Sequence, residues 1–87
     1  MHETKLGLCS SSDTRPLRIS LEPWGEDYTF APGTRVIVLA RGRGTPPWFD
    51  VWLQDDGITL VAIEGSVEGW AVFDEGRRVQ CGYGRTT

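Results

Sequence analysis

The stretch Arg35-Val36-Ile37-Val38-Leu39-Ala40 decides the structural class of this chain. A short unbroken apolar run fits a buried helix or a buried strand equally well by periodicity alone. Val36, Ile37 and Val38 are β-branched, which stiffens χ1 and favours the extended backbone. Pro32-Gly33 precedes the run and Gly42-Arg43-Gly44 follows it, leaving too few residues between breakers for a helix. We therefore read a strand, and because the run does not alternate, one buried on both faces.

Working back from this strand, Ala31-Pro32-Gly33-Thr34 has the chemistry of a type II turn, with Pro presetting φ and Gly supplying φ > 0. Before it lies a short strand, Tyr28 to Phe30, and before that a turn at Pro23-Trp24-Gly25. Leu17, Ile19 and Leu21 alternate with Arg18, Ser20 and Glu22, the cleanest amphipathic strand of the sequence. Residues 1–16 contain Ser10-Ser11-Ser12-Asp13-Thr14 and no sustained periodicity, which reads as a flexible arm.

Working forward, Arg41 to Pro47 is a loop stiffened by Pro46-Pro47. A strand from Phe49 to Gln54 turns at Asp55-Asp56-Gly57, a favoured hairpin sequence, and returns as Ile58 to Glu64. After a turn region at Gly65 to Gly69, Trp70 to Phe73 pairs through Asp74-Glu75-Gly76 with Arg77 to Cys81. Strands recurring about every ten residues without a helical segment predict an all-β domain of six or seven strands, a small antiparallel sandwich or partly open barrel. Its expected bounds are residues 17–83, with a tail over 84–87.

The chain has 87 residues, so it forms one domain at most and has a small margin of stability. Four Trp, three Phe and two Tyr supply much apolar area per residue and partly offset that limit. The net charge of −3 and dispersed cations argue against general nucleic-acid binding, which needs a clustered cationic surface. No stretch approaches a membrane span and no secretory leader is evident. Cys9 and Cys81 could form one disulfide if the N-terminal segment were drawn to the last strand, and otherwise read as reduced thiols, in keeping with a cytoplasmic protein. The predominance of Arg over Lys and the absence of Asn suit a GC-rich bacterial coding sequence.

Leu21-Glu22-Pro23-Trp24-Gly25, with Tyr28 and the Pro32-Gly33 turn, resembles a signature found in a family of short, uncharacterised bacterial proteins. Asp56-Gly57-Ile58-Thr59-Leu60, Gly65-Ser66 and Val72-Phe73-Asp74-Glu75-Gly76 are similar to the second half of those proteins. The likeness spans roughly residues 17 to 80 and rests on turns, apolar strands and one Trp. It implies a compact β domain and no established activity. The segment before residue 17 and Pro46-Pro47-Trp48 depart from it.

Catalytic chemistry is poorly provided for. The sole His is His2, in the expected arm, where it lacks the fixed neighbours of a general base or metal ligand. Cys81 reads as a buried thiol acting as a small hydrophobe. The carboxylates of Asp55-Asp56 are explained by turn chemistry, and the spacing of a calcium loop is missing. Gly42-Arg43-Gly44 and Gly82-Tyr83-Gly84 open no helix and carry no Lys-Ser/Thr pair, so they are not phosphate cradles. The expectation is a protein that is not an enzyme and holds no metal or cofactor.

The sharpest functional lead is Trp48-Phe49-Asp50-Val51-Trp52-Leu53. Strand alternation sorts it into an apolar row, Phe49, Val51 and Leu53, and a second row of Trp48, Asp50 and Trp52. With the first row turned to the core, two indoles flank a carboxylate on the other face, at an expected spacing of roughly 7 Å. Sealing inside a two-layer structure would bury them; otherwise they suit the centre of a protein interface. The expected binding residues are therefore Trp48, Asp50 and Trp52, with Arg41 and Arg43 at the rim, serving a homodimer or a protein partner. The alternative is a small-ligand or carbohydrate platform built on the same two Trp.

Overall fold

The computed structural model describes residues 1–84, which fold into eight strands and no helix. They are β1 (His2–Cys9), β2 (Leu17–Glu22), β3 (Glu26–Phe30), β4 (Arg35–Gly42), β5 (Trp48–Leu53), β6 (Ile58–Glu64), β7 (Val67–Asp74) and β8 (Arg77–Val79). They make two four-stranded sheets, ordered β1-β4-β7-β8 and β3-β2-β6-β5, neither closed into a barrel. The fold is thus all-β, as expected, with more strands than expected. Pairing is antiparallel except between β2 and β6, which run parallel. The expectation of a wholly antiparallel arrangement is corrected there: β2 is followed by its hairpin partner β3 and a change of sheet, so it meets β6 only after the chain returns.

The residues expected to form a flexible arm contain β1, which pairs along its whole length with β4, from His2 opposite Gly42 to Cys9 opposite Arg35. Leu6 and Leu8 pack against the core from this strand. The domain therefore starts well before residue 17, and only 10–16 remain as a connection. Residues 85–87 of the expected tail lie outside the described residues.

Both sheets contribute to one core. Ile19, Leu21, Tyr28, Phe30, Val61 and Ile63 come from one and Val36, Val38, Ala40, Val72 and Val79 from the other. In β4 the buried residues alternate, with Ile37 and Leu39 only half-buried on the outer face. The reading of a strand buried on both faces is corrected accordingly: among the described residues no second layer lies over the outer side of β4, and its continuous hydrophobicity marks a central strand. Turn chemistry holds throughout. Thr34 N–H donates to Ala31 C=O (3.1 Å) across Pro32-Gly33. Gly57 N–H donates to Gln54 C=O (3.2 Å), and the Asp56 side chain accepts from Ile58 N–H (2.9 Å). Glu75 and Gly76 both adopt positive φ between β7 and β8, the geometry that matches the twist of a hairpin. Strand β7 begins at Val67, so the turn expected over 65–69 shrinks to Gly65-Ser66, where the chain passes from one sheet to the other.

Two sheets have four edges, and those at β1, β3 and β8 are each blunted in a different way. β1 carries His2, Glu3 and Lys5, charges that discourage pairing with another chain. β8 is only three residues long and pairs with Val72 to Asp74 of β7, while the stretch of β7 before it has Trp24 and Glu26 against Trp70 in place of a strand. β3 is covered by the turn after β8: Thr29 N–H donates to Tyr83 C=O (2.8 Å) and Gly82 N–H donates to Asp27 C=O (2.7 Å). That cover needs glycine at 84, where φ is +76° and an added Cβ would lie 2.0 Å from the Thr29 carbonyl oxygen. Gly84→Ala is therefore expected to lift the turn from β3. Amide hydrogen exchange should speed at Thr29 while β6 stays protected, and unchanged protection at Thr29 would refute the assignment.

Candidate functional site

The fourth edge is β5, and the residues singled out from sequence are on it. Its inner row lies opposite inward-facing residues of β6, with Phe49 against Ile63, Val51 against Val61 and Leu53 against Thr59. Its outer row lies opposite the outer residues of β6: Trp48 by Glu64, Asp50 by Ala62 and Trp52 by Leu60. The two-row reading holds. Burial does not follow it, because β5 is at the margin of the sheet and only Phe49 reaches the core. Trp48 is 49% exposed, Val51 38%, Trp52 54% and Leu53 85%. Apolar side chains therefore project from both faces of one strand, and among the described residues no strand pairs with its free side.

Trp48 is the better anchored indole. Its ring lies over Gly65, where an added Cβ would come 3.2 Å from Trp48 Cζ3. Trp52 stands free beside Leu60. The two indoles are four residues apart, and at about 3.3 Å per residue their Cα atoms are separated by roughly 13 Å. The spacing of 7 Å is corrected: it applies from each Trp to Asp50, not between the Trp. The pair is thus two separate contacts around a carboxylate and not one continuous stacking surface.

Across the outer face of this sheet, Asp50, Ala62 and Glu22 share one row. Ala62 is only 5% exposed although it points outward, so taller neighbours close over it. Ser20 donates its hydroxyl to Glu22 (3.1 Å). Glu64 is beside Trp48, and Asp27 is on the same face of β3, while Arg18 is the one cation that the strands place there.

Arg41 and Arg43 do not join this face. Arg41 points from β4 to the outside of the other sheet, where it meets Glu3 at 2.8 Å. Arg43 is in the connection to β5 and meets Glu68 of β7 at 3.1 Å. Both are occupied by local ion pairs.

A second cluster, which sequence reasoning did not assemble, closes one end of the core. Trp24 stacks on Trp70 with centroids 3.6 Å apart and planes at 14°. One carboxylate oxygen, Glu26 Oε1, accepts from both Trp70 Nε1–H (3.0 Å) and the Tyr28 hydroxyl (2.9 Å). The partners are 44 residues apart in sequence, so nothing local signals the contact. A cleft of about 300 Å³ opens beside them, lined by Glu26, Tyr28, Trp70, Arg78 and Cys81. Cys81 and Cys9 are both exposed and unpaired. The reading of Cys81 as a buried hydrophobe is corrected, because β8 ends at Val79 and the thiol sits in the following turn. His2 is likewise fixed in β1 and not in a loose arm, though it remains exposed. Among the described residues, no group of three or more His, Cys, Asp or Glu is placed to hold a metal ion. No helix among them is long and apolar enough to cross a membrane.

No protein-family model, curated protein or solved structure matches the chain.

Burial, and then the hydrogen bond to Glu26, push the Tyr28 phenol well above its ordinary value. The folded state therefore keeps this proton when the unfolded state has begun to lose it near pH 10. The resulting stability is complete below about pH 10 and is lost as pH rises beyond it. The hydrogen bond to Asp74 raises Tyr83 in the same direction. The urea midpoint is expected to fall from about pH 10 upward, less steeply in Tyr28→Phe. An identical slope in the variant would show that Tyr28 is not the cause.

Proposed function

We propose that this chain is a non-enzymatic interaction protein, a small two-sheet β-sandwich that docks another polypeptide along β5. The observation that carries this reading is the concentration of exposed large apolar side chains on β5, an edge strand with no strand partner along its whole free side among the described residues: Trp48, Val51, Trp52 and Leu53. An unpaired, apolar edge strand templates pairing with another chain, and natural sheets suppress it unless it is used. Added strands bind in this way, with main-chain hydrogen bonds supplying affinity and alternate side chains supplying specificity. Full burial of Val51 or Leu53 would contribute roughly 1.5–3 kcal/mol each, and exposed Trp is the side chain most often dominant at interface centres.

Trp48, Asp50 and Trp52 keep the role expected of them from sequence, joined by Val51 and Leu53. Arg41 and Arg43 have no part in it, since Glu3 and Glu68 engage them on the other sheet and its connection. Two free, exposed thiols suit a reducing compartment such as a bacterial cytoplasm. The resemblance to the Leu-Glu-Pro-Trp-Gly proteins adds a compact β domain to this reading, and no activity.

A photo-crosslinking residue at position 53, introduced in cells of the source organism, is expected to form covalent adducts with a polypeptide. The same residue at position 5 of β1, on the charged edge, should form few. Adducts absent at 53, or equal at both positions, would overturn the proposal.

A further inference from the structure

We infer that the occupant of β5 is an extended segment alternating cationic and apolar residues, which adds to the sheet as a fifth strand. This inference rests on the docking reading above and specifies its partner. Side chains that pair across adjacent strands point to the same face, so the two rows of β5 dictate the two rows of its ligand. Its inner row would extend the uncovered apolar surface of Phe49, Val51 and Leu53, which calls for Val, Ile or Leu. Its outer row would stand beside Trp48, Asp50 and Trp52, with Glu64 two strands away on β6 and Glu22 three strands away on β2 adding negative charge to the same face.

The outer face is what selects charge. Its strands carry Glu22, Asp27, Asp50 and Glu64 against Arg18. A cation opposite Asp50 makes a favourable cross-strand pair. Cations at the flanking positions of the ligand lie beside indoles, whose faces attract guanidinium groups. Both features converge on Arg or Lys at every second residue. A second copy of this chain fits less well: pairing β5 with β5 doubles the carboxylate excess on one continuous face and brings only its own Arg18, which is on β2 and away from the seam. Arg41 and Arg43 of a second copy lie on the other sheet and its connection, beside Glu3 and Glu68.

The probe is a capped hexapeptide alternating Arg and Val, followed by amide chemical-shift changes in the full chain. Expected is saturable binding with the largest shifts along β5 and weakening as salt is raised. A Glu/Val peptide should fail to bind, as should an Arg/Val peptide N-methylated at alternate residues on the edge that would pair with β5. Asp50→Lys is exposed enough to leave the fold intact, and it should weaken the Arg/Val peptide by roughly tenfold and favour the Glu/Val peptide instead. Equal binding of both peptides, binding at another edge, or indifference to Asp50→Lys would overturn the inference. So would a wild-type dimer, seen by sedimentation, that Val51→Lys converts to a folded monomer, since β5 would then hold a second copy. If adducts form at position 53 and the Arg/Val peptide does not bind, the partner chemistry is wrong and docking stands; if neither occurs, both fall.

Discussion

Backbone hydrogen bonding at the sheet margins is the constraint on which the rest of this structure depends. A chain of 87 residues that builds two sheets creates four edges, and each edge is a row of donors and acceptors that another strand can satisfy. Closure into a barrel would remove them, but these sheets stay open. The margins are instead treated separately: charge on β1, a turn laid along β3, and a three-residue β8 with the Trp24–Trp70 stack beside the rest of β7. The turn over β3 shows how local the means are, since it depends on two backbone hydrogen bonds and on a glycine that lets the chain approach Thr29. β5 departs from this pattern, and its departure is the source of the functional argument.

The same economy governs the ends of the core. With few residues, the domain closes one end with stacked Trp24 and Trp70 and a shared Glu26 oxygen. An indole N–H and a phenol left in an apolar site without acceptors would each be costly. One carboxylate oxygen satisfies both, and so two large aromatic residues can be used as core material. Of the groups that line the cleft beside it, those of Glu26, Tyr28 and Trp70 are engaged with each other.

Much of the fold was legible in sequence because its signals are local. β2 announces itself by alternation, β4 by a β-branched run between breakers, and the hairpins by Asp56-Gly57 and Glu75-Gly76. β1 was not legible for a physical reason: Leu6 and Leu8 are its only strongly apolar inward residues, and its order comes from eight paired positions on β4. An edge strand buries one face only in part and needs little hydrophobicity of its own. The outer face of β4 misled for the opposite reason, since Ile37 and Leu39 are apolar but only half-buried. At the candidate site, the two rows of β5 were readable from period two. The place of β5 at a margin was not, because strand order is a property of the whole chain; nor was the separation of Arg41 from the Trp face, which depends on which sheet each strand joins.

Asp50 ties these points together. In a strand with four exposed apolar side chains, a single carboxylate is a slight defence compared with the charges of β1. Placed between two indoles, it has a more selective effect. Antiparallel pairing of two copies about Asp50 would set like charges opposite one another, which is destabilising, whereas a cation at that position is attracted. On the proposed docking, the residue would favour a cationic partner over another copy of the same chain. Specificity of this kind is a difference between affinities and needs a repulsive element as well as an attractive one. A neutral residue at 50 would leave the edge just as apolar and remove the discrimination, so the carboxylate is better understood as selecting the partner of β5 than as keeping the strand unpaired.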